Sequence, residues 1–202
     1  MTITEAHTAE HFATIEDLAW RIVPDFYASF FVRTAAEYLV ESGHTAVAVA
    51  AQAAVGCKFF LIAAGWNGDA ADLDADAGRN RDAAELDADA GRDRDAAELD
   101  ADAGRPVGYF SLAAEGDVVV LGHFYVLPEC RGRGLGQLAM EFVDRQVRAM
   151  GVRRIELLVL RKNIAAVGLY RKNGYTVAEE VLTTLGNGAV LEDYLMRKEV
   201  EN

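Results

Sequence analysis

The sequence predicts one α/β domain in which helices flank a mixed, twisted β-sheet of about seven strands. Apolar runs joined by glycine-containing turns predict strand hairpins, and several other segments carry apolar residues at helical spacing. A strand, a glycine-rich loop, a helix and a second strand also follow one another, which indicates a parallel βαβ unit. With 202 residues, 51% of them hydrophobic, residues 1–202 are interpreted as a single domain.

The N-terminal part is predicted to be mainly helical. A short strand at Ile3 precedes a helix over residues 9–23 that Pro24 is expected to end. A second helix is predicted over residues 34–41, with Thr34 as its N-cap and Gly43 after its end. The third helix is predicted over residues 45–55, and the aromatic and branched residues of 57–64 predict the next strand.

The C-terminal part alternates strands with helices. Two strands, over residues 107–113 and 118–127, are joined by a turn at Gly116. They are followed by a predicted helix over 135–150, a strand over 155–160, a helix over 163–172, and a hairpin formed by 175–184 and 189–197. Together with about four to five helices, these strands define the predicted sheet.

A tandem repeat of thirteen residues occupies 68–106, within an Asp-rich segment spanning 66–105. Three successive repeats with little apolar content cannot bury a core of their own, so we expect an unfolded low-complexity insert in a surface hairpin loop. Asp72, Asp74 and Asp76 have the spacing of calcium ligands, but Ala77 stands where a calcium loop requires glycine. No metal site is therefore predicted.

Charge and composition exclude several classes of protein. The net charge is −12, of which residues 66–105 contribute −8, and no basic cluster suited to nucleic acid is evident. No segment has the composition of a leader or a membrane span, so a cytoplasmic protein without a membrane partner is expected. Cys57 and Cys130 are too few for a disulfide framework and have no metal-ligand spacing.

Residues 125–136 carry the clearest chemical signal. Gly132, Gly134 and Gly136 lie between a predicted strand and the start of a helix, where backbone N–H groups can converge on a phosphate. The spacing does not fit a P-loop, which requires Lys and Ser or Thr after its last glycine. It also departs from the dinucleotide fingerprint, because Gln137 occupies the place of the third glycine.

Arg131-Gly-Arg-Gly-Leu-Gly136 resembles the acyl-coenzyme-A loop of the GCN5-related N-acetyltransferases (GNAT), and a second motif lies at the expected separation. It begins at Asn163 and ends at Tyr175, with Ala166, Leu169, Tyr170 and Gly174 at matching positions. The resemblance implies acetyl-CoA as the donor. It also implies a set of donor-binding residues: Phe124, Tyr125 and Val126 on the strand edge, Arg131, Gly132, Arg133, Gly134, Leu135 and Gly136 in the loop, and Asn163 in the next helix.

The resemblance also implies a catalytic tyrosine at Tyr170, whose hydroxyl would protonate the departing thiolate; a packed helix tyrosine is the alternative. Many relatives use a glutamate on the strand before the loop as base, but residues 118–126 contain no carboxylate. His123 is the titratable group of suitable pKa on this strand, although regular alternation would point it away unless a bulge intervenes. A water chain or direct attack by the neutral amine remains open.

The predicted function is acetyl-CoA-dependent N-acetyl transfer to a primary amine of a small molecule or protein, within a ternary complex. A non-catalytic acyl-CoA-binding or sensory module is the alternative, and a third hypothesis assigns function to the Asp-rich repeat. In the family the early helices form one wall of the acceptor groove, which makes four aromatic residues candidates for substrate contact, with core packing as the alternative: Trp20, Phe26, Tyr27 and Phe30. A homodimer is compatible with these expectations.

Overall fold

The computed structural model describes residues 1–28, 33–64 and 104–200, and it confirms the predicted mixed sheet flanked by helices. The described residues form a 7-stranded sheet with the strand order β1-β2-β3-β4-β5-β7-β6. The strands are β1 (Thr2–Ala6), β2 (Lys58–Ala64), β3 (Arg105–Glu115), β4 (Val118–Val126), β5 (Arg154–Leu160), β6 (Thr176–Thr184) and β7 (Val190–Glu199). Neighbouring strands are antiparallel except β4 and β5, which are parallel.

Five α-helices flank the sheet in the described ranges. They are α1 (Ala9–Ala28), α2 (Arg33–Gly43), α3 (Ala46–Ala54), α4 (Leu135–Ala149) and α5 (Ile164–Lys172). None of them is long and apolar enough to cross a membrane.

The two faces of the sheet bury different aromatic sets. On one face, Phe60 of β2 stacks on Phe110 of β3 at 5.0 Å between ring centroids, and Phe142 of α4 packs edge-on against both. On the other face, Tyr109 meets His44 at the corner between α2 and α3. Helix α1 adds Ile15 and Ile22, both fully buried. Because both faces of the sheet are buried at β2 and β3, the sequences of these strands are continuous apolar runs.

Helix α1 does not end where the sequence predicted. It continues through Pro24 to Ala28, so Phe26 and Tyr27 are helical rather than part of a connection. Proline in a helix costs about 3 kcal/mol through its lost hydrogen bond and ring clash. Here Ile22, Val23 and Pro24 are all buried, and this tertiary packing outweighs the local preference.

The predicted N-cap at Thr34 is also wrong, because α2 begins at Arg33 and Thr34 lies within its first turn. Thr45, by contrast, caps α3, and its side chain accepts a hydrogen bond from the N–H of Ala48. Thr45 thus ends the corner that contains His44.

The Asp-rich repeat lies outside the described residues up to residue 103, but its last residues do not, since β3 begins at Arg105 and includes Pro106 rather than starting at 107 as predicted. The chain on its two sides is well defined, since Ala64 at the end of β2 is the register partner of Arg105 at the start of β3. The insert therefore connects two adjacent antiparallel strands, which is the topological position of a hairpin loop.

Candidate active site

A cleft of about 450 Å³ opens between β4 and β5. The parallel ladder joins only Val118–Val120 to Arg154–Glu156. Beyond this ladder, the second half of β4 and the end of β5 line opposite walls of the cleft. The cleft is also lined by the glycine loop, the start of α4, one side of α5 and the last turn of α1. The predicted site elements are thus brought to one place.

A β-bulge shapes the β4 wall. Tyr109 pairs with Tyr125 and Ser111 pairs with Gly122, so Phe110 alone faces the two residues His123 and Phe124. His123 adopts the left-handed φ of 52°, which is uncommon for a residue other than glycine. Regular strand alternation would point His123 away from the site unless a bulge intervenes, and this bulge is present.

The bulge sends consecutive side chains to different faces. Phe124 lies on the α4 side, 5.9 Å from Phe110 between ring centroids. His123 and Tyr125 lie on the α1–α3 side, where both rings contact His44. The β4 wall therefore offers side chains to the cleft from both faces of the sheet.

The loop after β4 leads into the N-terminus of α4. A 3-10 turn over Pro128–Cys130 is followed by Gly132 and Gly134, with φ values of 73° and 81°. Gly134 caps α4 without a side-chain hydrogen bond, and a Cβ at either glycine would meet no atom within 4 Å. The N–H groups of the first turn of a helix have no partner within the helix, and they favour negative charge. The loop therefore leaves open space in front of a helix N-terminus, as a phosphate requires.

Arg131 braces this loop. Its Nε donates a hydrogen bond of 2.9 Å to the carbonyl oxygen of Val126, and its guanidinium carbon lies 6.0 Å from the ring centroid of Phe26. Partial burial lowers the pKa of the Arg131 guanidinium. The side chain therefore links the loop to the end of β4 and to α1.

Helices α4 and α5 meet closely behind the loop. A Cβ at Gly136 would lie 3.0 Å from Leu169 Cδ2, so glycine permits this approach. Gln137 and Asn173 exchange two hydrogen bonds of 3.0 and 3.1 Å between their side-chain amides. Asn163 caps α5 by accepting a hydrogen bond from the N–H of Ala166. These contacts fix α5 relative to the cleft.

Tyr170 of α5 lines the cleft and is 5% exposed. Its ring contacts Phe124 at 6.4 Å and Tyr175 at 5.7 Å between centroids. Burial raises the pKa of the Tyr170 phenol well above its ordinary value of 10.0. At neutral pH its hydroxyl therefore carries a proton that it can donate.

His123 also lines the cleft, but its environment keeps it neutral. Its Nδ1 lies 2.8 Å from Ser111 Oγ, and burial lowers its pKa to about 4. Behind it, burial and the neighbouring His123 lower the pKa of His44 to about 3. Two neutral imidazoles thus lie on the α1–α3 side of the cleft.

The predicted aromatic contacts divide into separate groups. Phe26 and Tyr27 line the cleft, and the Tyr27 hydroxyl lies 3.3 Å from that of Tyr125. Trp20 is 41% exposed and is not among the lining residues, while Phe30 lies outside the described residues. The end of α1, rather than its middle, therefore forms the helical wall.

Asp193 is a polar residue of this region that sequence reasoning missed. It lies on β7, only 5% exposed, beside the cleft-lining residue Leu160. The signal was present, because Asp193 alternates with Leu191 and Leu195 and so occupies a core-facing position of the strand. Among the described residues, no cluster of His, Cys, Asp and Glu could hold a metal ion.

Comparison with known proteins agrees with this geometry. The model of the acetyltransferase (GNAT) family matches residues 66–175, which include the glycine loop and all of α5. An uncharacterized N-acetyltransferase, YdgE of Bacillus subtilis, is 45% identical over 47 residues, which is 23% of this chain and 30% of that protein. A mycothiol acetyltransferase of Beutenbergia cavernae is 42% identical over 64 residues, or 32% of this chain and 20% of the relative. The matches thus span less than a third of these curated relatives.

Solved structures extend the fold comparison to the whole chain. The PaiA N-acetyltransferase of Thermoplasma acidophilum, crystallised in complex with coenzyme A, superposes with a TM-score of 0.65 at 15% identity, over 98% of this chain and 99% of that one. The ribosomal-protein-S18-alanine N-acetyltransferase of Escherichia coli gives 0.60 at 15% identity, over 100% and 94%. At these identities the likeness establishes a shared fold.

Proposed function

The chain belongs to the acetyltransferase (GNAT) family, and from this premise we propose that it transfers the acetyl group of acetyl-CoA to a primary amine. The observation that carries the proposal is the cleft between β4 and β5, which has the glycine loop at one end and Tyr170 in its wall. Acetyl transfer from a CoA thioester requires groups that hold the pyrophosphate and a group that can protonate the leaving sulfur. This cleft contains a candidate for each.

The proposed donor site fits the residues present. Of the predicted loop N–H groups, that of Arg131 donates to the carbonyl oxygen of Pro128, so those of Gly132 to Gly136 would hold the pyrophosphate. The loop leaves the space before α4 open, and the helix N-terminus favours an anion. The edge of β4 over Phe124 to Val126 is not paired with β5 in the ladder, so it would pair with the pantetheine arm. Bound there, acetyl-CoA supplies the activated thioester acetyl group.

Two further residues have proposed roles in donor binding. Arg133 would add positive charge at the loop, whereas Arg131 would act chiefly by bracing the loop through its bond to Val126. Asn163 would hydrogen-bond the donor from the first turn of α5, since it lines the cleft while its side-chain oxygen caps the helix.

Tyr170 is proposed as the general acid. Its hydroxyl stays protonated at neutral pH because burial raises its pKa, and it lies beside Phe124 on the wall where the thioester would be placed. Proton donation to the leaving sulfur prevents the build-up of thiolate charge in an apolar cleft. The resemblance of residues 163–175 to the family's second motif, which implies a tyrosine in this role at Tyr170, supports the proposal.

The attacking amine must also lose a proton, and three routes are available for this step. His123 faces the cleft and is neutral at pH 7, as a base must be, but a pKa of about 4 makes it a weak proton acceptor. The two other routes are a water chain and attack by the fraction of amine that is already neutral. We propose direct attack within a ternary complex, with His123 as the candidate side-chain base.

The test is release of CoA thiol from acetyl-CoA against a panel of diamines, amino acids, aminoglycosides and peptides, with the acetylated product identified by mass spectrometry. We expect at least one amine to be acetylated with thiol release in equal amount. Acetyl-CoA binding without turnover on any amine would contradict catalysis and support the alternative, a non-catalytic acyl-CoA-binding module.

A further inference from the structure

Asp193 is a carboxylate at a core-facing position of β7. It is 5% exposed and lies opposite Leu160 of β5 and Val181 of β6. Residues directly opposite in antiparallel strands share a face of the sheet, so Asp193 lies on the same face as Leu160. Leu160 lines the cleft, which places the carboxylate at the edge of the β5 wall.

No described side chain is a direct partner of this carboxylate. Within residues 1–28, 33–64 and 104–200, Asp193 forms no side-chain hydrogen bond or ion pair. Arg161 influences it electrostatically, but the Arg161 guanidinium donates its hydrogen bonds to Glu180 and Glu192. Burial raises the pKa of Asp193 above its ordinary 3.8. Among the described residues, the Asp193 oxygens do not belong to the fully buried polar atoms that lack a partner, so the carboxylate keeps some access to solvent and a cationic ligand could pair with it.

The surroundings of Asp193 connect it to the α1 wall. The Asp193 charge raises the pKa of the Tyr27 phenol, which shows that Tyr27 lies within electrostatic range. Tyr27 lines the cleft and its hydroxyl meets that of Tyr125. On this face the phenols of Tyr27 and Tyr125 and the imidazole of His123 are all uncharged at neutral pH. Asp193 therefore places a negative charge near these uncharged side chains.

Helix α2 approaches the turn between β6 and β7. The Tyr38 hydroxyl contacts Gly186 in the turn between β6 and β7, where a methyl group would not fit. Asp193 thus lies on the face of the sheet that also carries Tyr27 of α1. Because it lies on the face opposite α4, it is separate from the loop proposed to bind the donor phosphates.

We propose that Asp193 binds a non-reacting ammonium group of the acceptor, so that diamines are preferred over simple monoamines. An ammonium paired with a carboxylate has no lone pair and cannot attack a thioester. The acceptor therefore requires a second, uncharged amine for the reaction. This inference rests on the proposed function for the reaction that follows, but the ion pair itself forms without acetyl transfer.

The test compares wild type, Asp193→Asn and Asp193→Glu by calorimetric titration with 1,4-diaminobutane, 1,6-diaminohexane and butylamine. We expect at least one diamine to bind wild type at least tenfold more tightly than Asp193→Asn, with partial recovery in Asp193→Glu. The single ammonium of butylamine can itself pair with Asp193, so the monoamine is distinguished by turnover: wild type should acetylate the diamine with a kcat/KM at least tenfold above that for butylamine, and this preference should largely disappear in Asp193→Asn. In turnover the loss for the diamine should appear mainly in KM.

Two controls separate a binding role from a structural one. The affinity for acetyl-CoA should be unchanged in Asp193→Asn, and the Tm should be equal or higher because a neutral amide removes the desolvation cost. Equal affinity of both proteins for the diamines, no diamine binding by wild type, or a preference for the diamine over butylamine in kcat/KM that is unchanged in Asp193→Asn would each overturn the inference. If diamine binding depends on Asp193 but no acetyl transfer occurs, the proposed function fails and the binding site stands.

Discussion

The imidazole rings of His44 and His123 lie edge to face, with their centroids 4.5 Å apart, between the α2–α3 corner and the bulge of β4. Each ring has a hydroxyl partner 2.8 Å away, Tyr109 for His44 and Ser111 for His123. Neither imidazole is paired with a carboxylate in the described contacts. The fold therefore holds two neutral histidines next to the cleft, which makes its stability sensitive to acid.

The first prediction concerns this acid sensitivity. Burial lowers the pKa of His44 from 6.5 to about 3 and that of His123 from 6.5 to about 4. As the pH falls below 6.5, the two histidines bind protons in the unfolded chain but not in the folded chain, so the free energy of unfolding decreases. Each histidine contributes a loss of up to about 1.4 kcal/mol per pH unit. Urea unfolding between pH 7.5 and 5 should show this slope.

The matched variant is His44→Gln, which keeps a polar group near Tyr109 but removes one titrating site. Its stability should depend less steeply on pH than that of wild type, even if it is lower at pH 7.5. Comparing the two proteins cancels the titration of carboxylates, which both share. Parallel curves for wild type and variant would show that His44 is not the source of the slope.

The second prediction separates backbone strain from ligand binding. Gly134 and Gly151 both have left-handed φ, 81° and 69°, and a Cβ at either would meet no atom within 4 Å. Substitution by alanine should therefore destabilise each by a similar amount, about 1–2 kcal/mol. Only Gly134 caps the helix behind the loop, so only Gly134→Ala should weaken acetyl-CoA binding, by at least fivefold in calorimetry. If Gly151→Ala weakened acetyl-CoA binding equally, the loop would not be part of the donor site.

The sequence predicted the sheet and most helix bounds because the relevant signals are local. The helix predicted over 163–172 begins at Ile164 with Asn163 as its cap, and the strand predicted over 155–160 begins one residue earlier, at Arg154. The helix through Pro24 was missed because the burial that stabilises it comes from residues distant in sequence. The helix propensity of the local sequence does not include this burial, so it could not predict that the helix continues through Pro24.

The candidate site was predictable to a different extent on each side of the cleft. The loop and Tyr170 belong to contiguous motifs, and the structure brings them into one cleft. Asp193 lies about 60 residues further along the chain than the loop, and only strand pairing places it beside Leu160. The bulge at His123 likewise depends on the register between β3 and β4, which no single strand reveals. The acceptor side is therefore defined by tertiary contacts.

The third prediction concerns the Asp-rich insert. Ala64 and Arg105 are register partners in adjacent antiparallel strands, so residues 65–104 can be replaced by a two-residue Asn-Gly turn. A shorter loop also reduces the entropy cost of closing the hairpin. We expect a soluble protein whose Tm is equal or a few degrees higher and whose acetyl-CoA affinity is unchanged. A Gly/Ser linker of the original length is the control, and insoluble protein from both variants would contradict a dispensable insert.

The fourth prediction tests Tyr170 against its neighbour Tyr175. The two rings are 5.7 Å apart between centroids, both are buried, and burial raises the pKa of both phenols. Only Tyr170 is among the residues that line the cleft. Among the described residues, the Tyr175 hydroxyl has no hydrogen-bond partner, so Tyr175→Phe should fold with equal or greater stability and retain its kcat.

Tyr170→Phe removes the proposed proton donor without changing the ring that packs on Phe124. General acid catalysis contributes about 10²- to 10⁴-fold to a rate, so kcat should fall by at least about 100-fold while the affinity for acetyl-CoA stays within twofold. The loss should shrink with an acetyl thioester of a more acidic thiol, whose leaving group needs no proton. A small loss that is the same in both tyrosine variants would instead assign Tyr170 to packing, because packing alone cannot distinguish a good leaving group from a poor one.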